Sequence, residues 1–170
     1  MAVIIVINLA IGLTTDRFYP GQAAIGDAII ALHRALGFTV IVLTLVRIGW
    51  RVGHLPPAWP LHMTPLERGI ASAVHLLFYA LMLGLPLTGW AMVSTGVPVG
   101  QVAGPAADFG VFTVPSLPLP NAFGALFHSS HAALGWTMVV LLLIHGLAVA
   151  KHRVFDRDNI LFRMRQGQNE

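Results

Sequence analysis

Residues 122–150 read AFGALFHSSHAALGWTMVVLLLIHGLAVA. No Asp, Glu, Lys or Arg interrupts this run. As a helix it extends about 43 Å, more than the roughly 30 Å hydrocarbon core of a bilayer. Two further segments, Ala28–Trp50 and Gly69–Val93, are apolar and long enough to cross as well. Met1–Leu13 is apolar but spans only about 20 Å as a helix. It lacks the basic start and small-residue cleavage site of a signal peptide. It reads as the far end of a first transmembrane helix whose beginning lies before this chain, with a re-entrant or interfacial segment as the alternative. The expectation is an all-α membrane protein, a single domain over 1–170. Four transmembrane helices, near 1–13, 28–50, 69–93 and 122–150, form its bundle, followed by a tail over 151–170.

The rest of the composition agrees. Of 170 residues, 56% are hydrophobic and 10% charged, against about 25% charged in a soluble domain. The mean hydropathy is +0.75. So few ionisable groups cannot clothe a water-facing surface, so part of the solvent is membrane lipid. The excess of Lys and Arg over Asp and Glu is three, too small and scattered for nucleic acid and suited to anionic headgroups. Cysteine is absent, which excludes disulfides, iron–sulfur clusters and covalently attached haem.

The connections carry their own signals. Tyr19-Pro20-Gly21 marks a turn within Thr14–Asp27, and Pro56, Pro57, Pro60 and Pro65 interrupt Arg51–Arg68. Ser94–Asn121 is long, rich in Gly and Pro and barely charged, so it should lie on the membrane interface or cover the bundle. With four crossings, Arg47, Arg51, Arg68, Lys151, Arg153, Arg157, Arg163 and Arg165 share one side, and only Arg17 and Arg34 lie on the other. The positive-inside rule puts both termini in the cytoplasm.

Histidine is over-supplied, at eight residues. Ionisable groups at membrane depth are costly and tend to be functional. His33, near the extracytoplasmic end of the second helix, and His131, at matching depth in the fourth, can face each other across a bundle. Neutral imidazoles on neighbouring helices are what haem iron takes as axial ligands. His145 follows His131 by 14 residues, close to four turns, so it shares that helix face about 21 Å further on. One helix thereby offers a ligand near each membrane surface. Hydrogen-bonded packing is the competing reading of any one membrane histidine.

His75 and His152 belong near the cytoplasmic surface, where contact with a propionate, a quinone or solvent is open for each. His75 also has the option of replacing a missing ligand. Arg34 beside His33, and Arg47 on the same helix face, can pair with propionates or snorkel to headgroups. His54, His62 and His128 read as solvated loop histidines, and Trp50, Trp90 and Tyr19 as interfacial belt residues. Gly37, Gly135 and Gly146 flank the histidines and would allow close approach of a flat cofactor.

A set of motifs adds to this. Ala31-Leu32-His33-Arg34-Ala35-Leu36-Gly37 opens the second helix and Val46-Arg47-Ile48-Gly49-Trp50-Arg51 closes it. His75, Leu85-Pro86-Leu87-Thr88-Gly89-Trp90, Phe109-Gly110 and Val114-Pro115 follow. Then come His131-Ala132-Ala133-Leu134-Gly135, His145, His152 and Arg157-Asp158-Asn159-Ile160-Leu161-Phe162-Arg163-Met164. Over nearly its whole length the chain resembles the bacterial cytochrome b561 family, four-helix di-haem proteins related to the cytochrome b subunit of nickel hydrogenases. The resemblance implies two haem b groups. His33 and His131 would ligate the extracytoplasmic one, and His145 the other together with a histidine at the start of the first helix. No histidine precedes His33, so that fourth ligand is not in this chain.

The function expected is a cytochrome of the bacterial inner membrane that relays single electrons between a periplasmic donor and the quinone pool, with quinone oxidoreductase activity an open question. A haem-bearing anchor subunit of a dehydrogenase or hydrogenase is the alternative. A histidine-lined metal transporter fits less well, because the helix interiors carry no carboxylates beside the histidines.

Overall fold

The computed structural model describes residues 1–18, 23–54, 59, 63–96 and 105–154. Among them are four helices, α1 (Ala2–Phe18), α2 (Ala23–Gly53), α3 (Pro65–Ser94) and α4 (Gly124–Val154). Strands β1 (Ala107–Asp108) and β2 (Thr113–Val114) and a 3-10 turn, Asn121–Phe123, lie between α3 and α4. Three stretches are long and apolar enough to cross a membrane, Ile25–Gly53, Pro65–Ser94 and Asn121–Lys151, and Ala2–Thr14 is a shorter apolar helix. The expected membrane bundle is therefore present.

α1 packs on α2, α2 on α3 and α3 on α4. Consecutive helices are antiparallel: Asn8 lies by Gly37 and Gly12 by His33, so position rises on one helix as it falls on the other. At the centre Val40, Leu81, Met82, Met138 and Leu141 form a buried cluster, with Ile4, Ile5 and Leu9 of α1 against it. Thr44 is fully buried, and its hydroxyl donates to Val40 O at 2.7 Å, which satisfies it inside its own helix. Outward-facing Val42, Leu45, Val46, Leu76, Leu143 and Leu147 are all exposed. An apolar surface this extensive is stable against lipid and not against water.

Four helix ends differ from the sequence expectation by four or five residues: α2 begins at Ala23 rather than Ala28 and α4 ends at Val154 rather than Ala150, and the other two have a visible cause. α3 begins at Pro65, not near Gly69, because Thr64 caps it. The Glu67 N–H donates to Thr64 Oγ1 (3.3 Å) and the Thr64 N–H to Glu67 Oε2 (2.8 Å). This is a capping box with proline at the first helical position, where its missing N–H costs nothing. α1 runs on past Leu13 to Phe18. Thr14 does not stop it, since its hydroxyl donates to Ala10 O at 2.7 Å.

The long connection folds over the bundle. Ala107 pairs with Val114 and Asp108 with Thr113 in an antiparallel hairpin. Its turn is closed by Gly110, at φ 77°, whose N–H donates to the Asp108 carboxylate at 2.8 Å. Phe109, Phe112 and Val114 face Phe38, Thr39, Val42 and Leu43 of α2 across an apolar cavity of about 250 Å³. Trp90, read from the sequence as a belt residue, ties this segment down: its indole donates to Pro115 O at 2.9 Å and its ring meets Phe38 edge-on at 5.2 Å. The Leu117 N–H donates to Ser94 Oγ at 2.9 Å.

Candidate functional site

α2 and α4 bring His33 and His131 together. Their ring centres are 6.2 Å apart and their planes stand at 88°. The 3.6-residue period turns both imidazoles inward, and a partner helix then fixes each of them. His33 Nδ1 is 3.1 Å from Asn8 O of α1, and His131 Nδ1 is 2.9 Å from Leu85 O of α3. A carbonyl oxygen only accepts, so in both rings Nδ1 carries the hydrogen. Each neutral imidazole therefore keeps its lone pair on Nε2, the form in which histidine binds a metal. Thr88 Oγ1 lies 3.3 Å from His131 Nδ1 and donates to Gly84 O (2.9 Å) and Leu85 O (2.8 Å).

The spacing suits a shared ligand. Metal–imidazole bonds of about 2.0–2.1 Å on opposite sides of one ion put the ring centres roughly 6 Å apart. A ligating histidine also donates its second ring nitrogen to a carbonyl or carboxylate, as both do here. The residues present fit haem iron with two axial imidazoles.

A second pair lies further along the bundle, between α3 and α4. His145 of α4 and His75 of α3 have ring centres 6.2 Å apart at 64°, and Phe78 meets His145 edge-on at 5.2 Å. The sequence pointed to a first-helix partner for His145; within the described residues His75 is the imidazole beside it. The Arg47 Nε donates to Tyr79 OH at 3.0 Å, with its guanidinium 6.0 Å from the Tyr79 ring centre. Arg34 follows His33 on α2 and is half-buried. His152 sits in the last turn of α4, with its side chain outside the described residues, as are His62, Tyr19 and the tail motif Arg157–Met164. His128 is exposed but lies within α4, not in a loop as the sequence reading has it. His54 is exposed too, stacked on Trp50 at 3.8 Å.

The glycines that crowd the imidazoles are not those flanking the histidines in sequence. A Cβ on Gly146 would meet nothing within 4 Å, and one on Gly135 or Gly37 would make ordinary contacts at 3.7–3.9 Å. The crowded positions are Gly12 and Gly89, on the helices opposite, where a Cβ would come within 2.9 Å of His33 Cε1 and 3.0 Å of His131 Cε1. The available signal was Leu85-Pro86-Leu87-Thr88-Gly89, polar and small residues in an otherwise lipid-compatible helix.

The profile of the prokaryotic cytochrome b561 family matches residues 1–167. The chain belongs to that family. It is 32% identical over 136 residues to cytochrome b561 homolog 2 of Escherichia coli (strain K12), an alignment covering 78% of this chain and 68% of the relative. Membership makes it a multi-pass membrane protein and supports a haem b electron carrier, in agreement with its paired membrane imidazoles.

Proposed function

We propose that this b561-family chain passes single electrons across the bacterial inner membrane, with haem b held axially by His33 and His131. The observation that carries the reading is that pair: ring centres 6.2 Å apart, with both Nδ1–H groups committed to carbonyls and both Nε2 atoms available. Haem b supplies a reversible one-electron couple, and filled axial positions favour electron transfer over oxygen binding. The chain's own task is to close those positions, hold the rings still and keep the site within an apolar bundle.

His145 serves a second centre nearer the cytoplasmic surface. No histidine precedes His33 in this chain, and His75, whose ring centre lies 6.2 Å away, would hold that centre with His145. Arg34 and Arg47 are the propionate-facing cations, since guanidinium pairs with carboxylates in bidentate fashion. His75 and His152 suit contact with a quinone at the cytoplasmic side, and a donor meets the outer centre from the periplasm. Both termini are cytoplasmic, because Lys and Arg concentrate on that side.

The test is a reduced-minus-oxidised spectrum of the purified chain with haem counted per polypeptide. A b-type spectrum is expected, and His131→Leu should abolish the outer centre. A colourless protein after expression with ample porphyrin refutes the reading.

A further inference from the structure

The carbonyls that receive the two imidazole N–H groups stand in the same relation to a glycine. Asn8 O is four residues before Gly12, and Leu85 O is four residues before Gly89. In a helix each side chain leans toward the N-terminus and covers the turn behind it. The side chain at i+4 thus screens the carbonyl of residue i, whose second lone pair is otherwise open to a neighbour. Glycine at i+4 removes that screen. The clearance is tight: a Cβ on Gly12 would lie 2.9 Å from His33 Cε1 and 3.4 Å from its Nδ1, and one on Gly89 3.0 Å and 3.2 Å from the matching atoms of His131. Other α3 glycines show no such crowding; a Cβ on Gly84 meets only Leu134 Cδ1, at 3.8 Å, and one on Gly69 meets nothing within 4 Å.

The arrangement occurs once in the antiparallel pair α1/α2 and once in α3/α4. The sequence carries no internal repeat, so the likeness exists only in three dimensions. In each window the ring is turned with Nδ1 toward the uncovered carbonyl, and the two planes cross at 88°. Resting on the axial role proposed for His33 and His131, we propose that Gly12 and Gly89 are positioning residues: they uncover the Asn8 and Leu85 carbonyls and so hold the outer centre's imidazole planes perpendicular.

Electron paramagnetic resonance of the oxidised protein reads the angle directly. Crossed axial imidazoles on low-spin ferric haem give a highly anisotropic signal with one very large g value, whereas coplanar rings give a rhombic one. The signal absent from His131→Leu identifies the outer centre. For wild type, the crossed-plane form is expected. Gly89→Ala should move the largest g value down or lose the signal, and Gly84→Ala, on the same helix, should leave it in place. A rhombic wild-type signal overturns the inference without any substitution, as does identical behaviour of Gly89→Ala and Gly84→Ala. A colourless wild type instead defeats the haem reading itself, so the two failures are told apart.

Discussion

At the scale of single residues, what distinguishes His33 and His131 is the second nitrogen of each ring. An imidazole in lipid must satisfy its N–H or bear a desolvation cost. Here the acceptor is a helix carbonyl already bonded within its own helix, so the ring is oriented without opening that helix. Thr88 adds a second oxygen 3.3 Å from His131 Nδ1. Replacing it with valine keeps the shape and removes the hydroxyl, while Leu85 O remains. Outer-shell changes at metal sites cost about 10–100-fold in affinity, and Thr88→Val should fall at about 10-fold. Transfer of haem to excess apomyoglobin measures it, and unchanged transfer would remove Thr88 from the site. Tyr79→Phe deletes the acceptor for Arg47 at an exposed position, so it should cost less than about 1 kcal/mol. Thermal unfolding in detergent checks that, and the haem content should stay at the wild-type level.

At the scale of elements, helix ends and helix contacts decide what the site can be. The start of α3 depends on the reciprocal bonds between Thr64 and Glu67. Thr64→Ala should lower stability by about 1 kcal/mol, read as a reduced unfolding midpoint with an unaltered haem spectrum, since the cap is remote from the outer pair. The inner contacts are more sensitive. Met138 is 1% exposed and sits where α2, α3 and α4 meet. Met138→Ala leaves a cavity there and should cost about 2–5 kcal/mol, the largest stability loss among these substitutions. A midpoint shift no greater than that of Thr64→Ala would show that the cluster does not hold the helices together. The apolar pattern gives all four helices and misses four of their ends by four or five residues. Thr64-Pro65-Leu66-Glu67 contains both a helix-breaking residue and a complete start signal, and Pro65 was read as the former. The hairpin between α3 and α4 gave no periodic signal at all, because two-residue strands are too short to alternate.

For the whole molecule, the proposed direction of crossing rests on the cation distribution. The hairpin and the start of α3 should lie on opposite faces of the membrane. The chain has no cysteine, so single introduced thiols report sidedness cleanly. Val111 in the hairpin is 89% exposed and Leu66 at the start of α3 is 73% exposed. In intact spheroplasts, a membrane-impermeant maleimide should label Val111→Cys and spare Leu66→Cys until the membrane is opened. The reverse pattern would invert the topology, and with it the side from which each imidazole pair meets its partner.

Composition and apolar length were enough to determine the solvent and the helical class, since lipid leaves unpaired backbone no other arrangement and charge has almost nowhere to sit, while the family was legible in the histidine-bearing motifs. The spacing of His131 and His145 on one helix was equally legible, because a helix has a fixed period. The pairing of His33 with His131 was legible as matched depth, and only the tertiary structure decided how those rings are held and which imidazole meets His145. His75 comes beside His145, and Asn8, Gly12, Leu85 and Gly89 orient His33 and His131. These relations join residues 25 and 46 positions apart through a backbone carbonyl and a missing Cβ. A carbonyl belongs to every residue, so nothing in the side-chain sequence marks the two that matter until the helices are packed.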